Sequence, residues 1–434
     1  MFTIVVGLVT LILAFLCNGF FKDWKFIHSD GMGYYVYLPA IMIDSDPSLN
    51  STVTNIANSQ SADPYAQKEY FGMRPQTDNF WIDKYPVGVA LVQAPFFLGA
   101  DLLAQITGGV RDGFSSNYQW AIAIAGLIFL QIGMYFAYKV LKKRFDNGLA
   151  LILLSFLILG TNIMHYAVYE PSMSHIYSFA FIILTVFLLD KYLENKKFKW
   201  IVGMGITISI IGVIRNINLL FGMVPLLVII LNTAKGKRPM LLIKTLVVWG
   251  LTAFVIFIPQ LLYWYFSTGK FLAYSYAGET FNLFKPELLK LLFSVNNGLF
   301  FWHPLLLLAI PGLYFWIKSH DAISKISTIF LLLLTYILSS WWCWWFGYSF
   351  GMRPFTDFYI LFLIPIGYLF LRIKKWKRRY IVLSVIIICL FFILNLIQMN
   401  NYWRGIVAGS NIGWDNYWSN FANPHLGELF DRFR

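Results

Sequence analysis

Apolar runs of about twenty residues recur from one end of the chain to the other, each long enough to cross a hydrocarbon layer roughly 30 Å thick. Inside such a layer no water satisfies the backbone, and a helix is the structure that closes all its hydrogen bonds within one segment. The pattern predicts an all-α, polytopic membrane protein. Composition agrees, since 58% of the 434 residues are hydrophobic and only 13% are charged, where a soluble domain carries about a quarter.

The runs predict eleven crossings, at 2–21, 119–141, 148–164, 173–190, 200–214, 217–232, 243–266, 297–317, 326–343, 358–373 and 380–398. The first run lacks the basic leader and small-residue cleavage site of a signal peptide, so it is taken as a span. A further apolar stretch, 86–108, decides the topology. If it crosses, the basic clusters after it fall on the wrong side. If it does not, five clusters share one face: Lys142–Arg144, Lys191–Lys199, Lys235–Lys244, Lys318–Lys325 and Arg372–Arg379. That arrangement puts 20 of the 34 Lys and Arg on the inner side and 17 of the 21 acids outside. Positive charge collects on the cytoplasmic face, so the N-terminus is expected inside and the C-terminus outside. Lys22 and Lys25, just beyond the first span, run against this orientation. The stretch 86–108 then becomes a juxtamembrane helix in the headgroup region, with Gln93, Asp101 and Gln105 on one face.

The net charge of +13 is clustered between apolar runs. This is the signature of cytoplasmic loops rather than of a nucleic-acid-binding surface, and no nucleic-acid partner is expected. Cys17, Cys343 and Cys389 form no CxxC or Cys/His pattern, which leaves no disulfide frame or structural zinc site. The chain reads as a single transmembrane domain over 1–434 in an inner, cytoplasmic membrane. Its long segments, 22–118, 267–296 and the tail 399–434, all lie outside, and so does its function.

Several outer residues carry possible chemistry. In His28-Ser29-Asp30-Gly31-Met32-Gly33-Tyr34-Tyr35, Asp30 sits about one turn past the membrane edge between small residues. A carboxylate there can take the proton of an acceptor hydroxyl, and a helix cap or a solvated loop acid is the plainer reading. His28, Tyr34 and Tyr35 are taken as substrate contacts. In Trp81-Ile82-Asp83-Lys84-Tyr85-Pro86, Asp83 is a further substrate contact. Lys84 at headgroup depth suits a lipid phosphate or simply an interfacial anchor.

Arg215, between the fifth and sixth spans, and Arg353, in Gly351-Met352-Arg353-Pro354-Phe355-Thr356-Asp357, are either snorkelling anchors or forks for phosphate oxygens. The string around Arg353 follows Trp341-Trp342-Cys343-Trp344-Trp345, and a similar Gly-Met-Arg-Pro-x-Thr-Asp occurs at 72–78. His165, Glu170 and His175 could bind a divalent metal, although their spacing matches no metal motif. Hydrogen bonding by Glu170 is the simpler role. His303, in the run opening the eighth span, is expected to bond a neighbouring helix and is counted among the substrate contacts.

Apart from Asp101, no acid or base lies deep in an apolar run, although ion-coupled transporters usually need such groups. No Walker A motif, GxSxG elbow or HExxH occurs.

With this topology, the acid in Ser-Asp-Gly-Met-Gly-Tyr-Tyr, the segment Lys-Tyr-Pro-Val-Gly-Val-Ala-Leu-Val-Gln-Ala-Pro-Phe-Phe at 84–97, and Asn297-Gly-Leu-Phe-Phe-Trp-His-Pro with the later Gly-Met-Arg-Pro-Phe-Thr-Asp carry a resemblance. The chain resembles the GT-C superfamily of integral-membrane glycosyltransferases, nearest the protein mannosyltransferase and aminoarabinose transferase branch. The resemblance implies a GT-C-like fold and inverting transfer of a sugar from a polyprenyl-phosphate donor to a lipid, glycan or protein acceptor. It implies Asp30 as general base, Lys84 on the carrier phosphate and Glu170 as the second-loop acid. Arg215 and Arg353 are added from position and charge. Several relatives carry an acidic pair in the first loop where this chain has Asp30 alone, which weakens the case for a divalent metal cofactor. The competing readings are a lipid or polysaccharide transporter, an envelope-assembly scaffold, and a glycan ligase or polymerase. Loop 267–296, with Tyr274, Tyr276 and Glu279, is expected to cover the site.

Overall fold

The computed structural model describes residues 25–60, 72–77, 80–407 and 412–422. The first expected span, 2–21, and the tail beyond 422 lie outside the described residues.

The described chain is mostly helical and divides into two compact units. The first takes in the described residues up to Gly133, then Tyr166–Gly222 and Thr233–Gly278. The second takes in Met134–His165, Met223–Asn232 and the described residues from Glu279 onward.

The first unit opens with the short helices α1 (Asp30–Tyr35), α2 (Tyr37–Met42) and α3 (Asn50–Gln60). An antiparallel hairpin follows, β1 (Met73–Thr77) and β2 (Phe80–Asp83), in which Met73 faces Asp83 and Pro75 faces Trp81. The register slips between Pro75 and Thr77, as suits a proline that has no N–H for the ladder. The hairpin leads into α4 (Gly88–Thr107), whose end is set by Gly108 in the left-handed conformation at φ 70°. Glycine takes that cap with no Cβ penalty.

The chain leaves the first unit within α5 (Ser116–Lys142) and forms α6 (Asn147–Leu159) in the second. The chain re-enters the first unit at Tyr166, within a π-helical turn at His165–Tyr169, and continues into α7 (His175–Asn195) and α8 (Phe198–Ile214). The second unit's α9 (Met223–Leu231) is followed by the first unit's α10 (Arg238–Thr268). Glycines let the first unit's helices approach closely. A side chain at Gly133 would enter the Phe179 ring, and one at Gly205 would enter Trp249.

The second unit continues with α11 (Leu288–Phe293), α12 (Leu299–Trp302), α13 (Ala309–Lys318), α14 (Ser324–Ser339), α15 (Ile360–Ile373), α16 (Arg378–Trp403) and α17 (Trp414–Ala422). Asp146 caps α6 by accepting the Leu149 N–H at 2.9 Å, the usual way to satisfy a free N-terminal donor. Gly312 of α13 lies directly on the Pro365 carbonyl of α15. Asn395 of α16 donates to the carbonyls of Leu159 at 3.0 Å and Thr161 at 3.3 Å.

Among the described residues, five helical segments are long and apolar enough to cross a membrane: Gly88–Thr107, Ser116–Lys142, His175–Asn195, Lys235–Thr268 and Arg378–Trp403. Shorter apolar helices cover the remaining expected spans between 147 and 373. The stretch expected as a juxtamembrane helix, 86–108, is therefore one of the five by length and composition.

Some boundaries differ from the sequence expectation. The eighth span is not continuous, because His303 takes φ −130° and ψ 68° between α12 and a 3₁₀ turn at Pro304–Leu308. A residue before proline is driven out of the helical region. The third span stops at Leu159, before Gly160, rather than at 164. The two Gly-Met-Arg-Pro-x-Thr-Asp strings are structurally unlike, the first running into strand β1 and the second into a 3₁₀ turn at Arg353–Phe358.

Candidate functional site

In the first unit, the segment entering α1 is held by its neighbours. Phe26 O accepts from Ser172 Oγ at 2.7 Å, and Ile27 N donates to Gln119 Oε1 at 2.9 Å. Ser29 has φ 52° and ψ −141°, a conformation that costs a non-glycine residue about 1–3 kcal/mol and persists only where its surroundings impose it. Asp30 follows at once and is half-buried. Gly31 is pressed against Ser172, where an added Cβ would collide with Oγ. Asp30 is thereby fixed beside the segment that carries Glu170, itself buried.

The hairpin brings Asp83 and Lys84 to the same region. Tyr34 of α1 lies on Tyr85 at a ring distance of 4.5 Å. Tyr37 donates its hydroxyl to Tyr85 O at 2.6 Å. From α10, the Tyr263 hydroxyl accepts from Asp83 N and donates to Trp81 O, both at 2.9 Å. Gln260, one turn earlier, accepts from Val87 N at 2.8 Å. Two short helices and one long one thus pin the backbone from Trp81 to Val87.

Asp83 is 1% exposed, and its Oδ1 accepts from Tyr85 N at 2.8 Å. Burial pushes its pKa well up, against the pull of the Tyr85 N–H and Lys84, and the negative charge of Asp30 adds to the rise. Asp30 and Asp83 are therefore electrostatic neighbours. Burial likewise raises the Tyr37 phenol, with Asp83 adding to it.

Lys84 is half-buried, with Nζ 5.2 Å from the Tyr85 ring centre and 5.5 Å from that of Tyr276. Ser275 Oγ donates to Lys84 O at 2.9 Å. The segment after α10 thus touches the lysine through Ser275 and Tyr276. Aromatic faces of this kind attract an ammonium through the ring quadrupole.

Gly88 opens α4 with no room for a side chain, because a Cβ would enter the backbone at Val213 and Ile214. The positive end of α4 thus lies against the end of α8, from which Arg215 leads. Arg215 Nη1 is 3.1 Å from His175 Nδ1. A guanidinium only donates, so this His175 nitrogen accepts. Tyr166 packs on the same imidazole at 4.7 Å.

The structure therefore gathers Asp30, Tyr34, Asp83 and Lys84 in one region of the first unit and joins Arg215 to His175 in that unit. His28 is half-buried at the entry to α1. Tyr35 turns the other way: it is fully buried, packs on Phe97 and Phe114 and donates to Gly113 O, which makes it part of the core.

Arg353, His303 and His165 belong to the second unit. There His303 Nδ1 lies 2.9 Å from Asn395 Oδ1, an inter-helix contact of the kind expected. His165 accepts from Trp403 Nε1 at 2.8 Å. Arg353 begins the 3₁₀ turn that carries the buried Asp357. Among the described residues no three His, Cys, Asp or Glu side chains are grouped to hold a metal. His165, Glu170 and His175 do not fit one, and no chemistry is routed through a metal below.

Tyr37, Tyr263, Gln260 and Ser172 were not singled out from sequence. Gln260, Tyr263 and Ser267 do form a polar stripe at helical spacing near the C-terminal end of α10, a signal that could have pointed to them. No family model matches the chain, and no curated protein matches it.

Proposed function

We propose that the protein is a glycosyltransferase that moves a sugar from a polyprenyl-phosphate donor to an extracytoplasmic acceptor hydroxyl, with inversion. The supporting observation is the convergence of an acid, Asp30, with a cation, Lys84, in the segments flanking an apolar helix start. Transfer of this kind needs both. The acceptor oxygen forms a bond to the anomeric carbon while the bond from that carbon to the phosphate oxygen breaks. Asp30 takes the acceptor proton. The electron pair leaves with polyprenyl phosphate, whose charge Lys84 stabilises together with the positive end of α4 and Arg215.

The resemblance to GT-C glycosyltransferases supports the same roles. The basic clusters support eleven crossings, an inner N-terminus and an outer site. Tyr276 lies over Lys84 and shields the charge from water, which strengthens its action on a phosphate.

Purified protein in nanodiscs, given labelled polyprenyl-phosphate sugars and an acceptor, provides the test. Wild type is expected to release polyprenyl phosphate, and Asp30→Asn to lose at least about a hundredfold, the scale of a general base. A folded Asp30→Asn protein that turns over like wild type would remove Asp30 from the mechanism.

A further inference from the structure

Asp83 has one oxygen in use and one waiting. Oδ1 is held by the Tyr85 N–H. Oδ2 is buried and has no hydrogen-bond partner among the described residues. The backbone around it is fixed by the Tyr263 and Tyr37 hydroxyls, and the residue is 1% exposed. A buried carboxylate oxygen left bare is costly, whereas a carboxylic acid can hand its proton to a ligand. The groups around it make the neutral acid the form that fits. Asp30 and the Tyr37 and Tyr263 phenols are all in electrostatic contact with Asp83. Lys84 pulls the other way, and burial outweighs it.

We propose that Asp83 acts as a neutral hydrogen-bond donor through Oδ2–H to a hydroxyl oxygen of the substrate's glycosyl unit, orienting the sugar between Asp30 and Lys84. The assignment rests on the glycosyl-transfer reading for the identity of the ligand, but not for the protonation of Asp83. It divides the site by charge. The ammonium takes the anionic phosphate, the ionised Asp30 takes the proton that moves, and the uncharged acid binds an uncharged hydroxyl without repelling either anion. Asparagine reproduces this arrangement, with an amide N–H where the acid O–H stood and a carbonyl oxygen still available to the Tyr85 N–H. Leucine fills the same space and offers neither.

Two readouts test this separately in the full-length protein. In infrared spectra of the nanodisc-embedded protein at neutral pH, the difference between wild type and Asp83→Asn should contain the C=O stretch of a protonated carboxyl group, and so should the difference between Asp30→Asn and the Asp30→Asn/Asp83→Asn double variant. If the wild-type difference shows only the bands of an ionised carboxylate, Asp83 is ionised and the proposal fails. In turnover with polyprenyl-phosphate sugars, Asp83→Asn should lose no more than about tenfold in kcat/KM, whereas Asp83→Leu should lose about a hundredfold or more. Equal losses in both folded variants would overturn the donor role. If wild type turns over no such substrate, the glycosyl-transfer reading fails while the infrared band still decides whether Asp83 is the neutral acid.

Discussion

Gly31 shows how little freedom the site leaves single residues. Its position against Ser172 admits no side chain, and Ser29 two residues earlier is already in a strained conformation. Gly31→Ala should destabilise the protein by about 1–3 kcal/mol, the usual result of overpacking. Because the insertion displaces Asp30, turnover should fall by more than the loss of folded protein accounts for. Thermal unfolding and turnover measured on the same preparation check both, and an alanine variant as stable and active as wild type would show that the contact with Ser172 is slack. Asp30, Asp83 and Lys84 were legible in the sequence because charged residues next to apolar runs need a reason to be there. Tyr37 and Tyr263 were not, since tyrosines near a membrane edge look alike whether they anchor the interface or hold a loop. The fully buried place of Tyr35 was equally hidden, because adjacent tyrosines on a short helix do not declare which one faces the core.

Among the elements, the second unit carries a buried ion pair between the end of α5 and the start of the α14 region. Arg144 Nε lies 2.6 Å from Asp321 Oδ2, and the same oxygen accepts from Trp316 Nε1 at 3.1 Å. The side chains are only 5% and 11% exposed. Burial works against the Asp321 carboxylate, but the charge and hydrogen bonds of Arg144, with Trp316, hold its pKa below the usual value. A carboxylate with a lowered pKa in the folded state contributes stability above its unfolded value of about 3.9. That contribution is lost as the pH falls through the lowered value. Asp321→Asn should cost about 3–5 kcal/mol at neutral pH, because it breaks a buried ion pair by removing one partner. The difference from wild type should shrink on acidification, as read by unfolding at a series of pH values. A deficit that stays constant down to low pH would mean the pair contributes through packing alone. Helix positions were readable from the apolar runs, as α5 to α8 and α14 to α16 illustrate. Breaks were harder, since Gly160 and the His303–Pro304 step sit inside unbroken hydrophobic runs whose length suggests continuity.

At the scale of the whole molecule, hydrophobicity fixes the environment, while the charge distribution carries the proposed orientation. The helix α4 matters most here, because its crossing or lying flat reverses the sidedness of everything after it. With Cys17, Cys343 and Cys389 replaced by serine, single cysteines at Ser51, Gly109 and Lys270 should label from the outer face. Those at Lys143 and Lys375 should label only after permeabilisation. Opposite sidedness for Ser51 and Gly109 would show that α4 crosses. The division into two units was not apparent from sequence, because each is assembled from interleaved stretches and no linker marks a boundary. The account as a whole rests on chemistry at Asp30, and its most direct test is the product. Wild type and Asp30→Asn, both in nanodiscs, would be given polyprenyl-phosphate sugars of known anomeric configuration, with the glycoside and the released polyprenyl phosphate followed by NMR and mass spectrometry. The account predicts one polyprenyl phosphate per glycoside formed, an inverted anomeric centre, and loss of both products in the aspartate variant. Retention of configuration, or no product from a well-folded wild type across a broad range of donors, would contradict it.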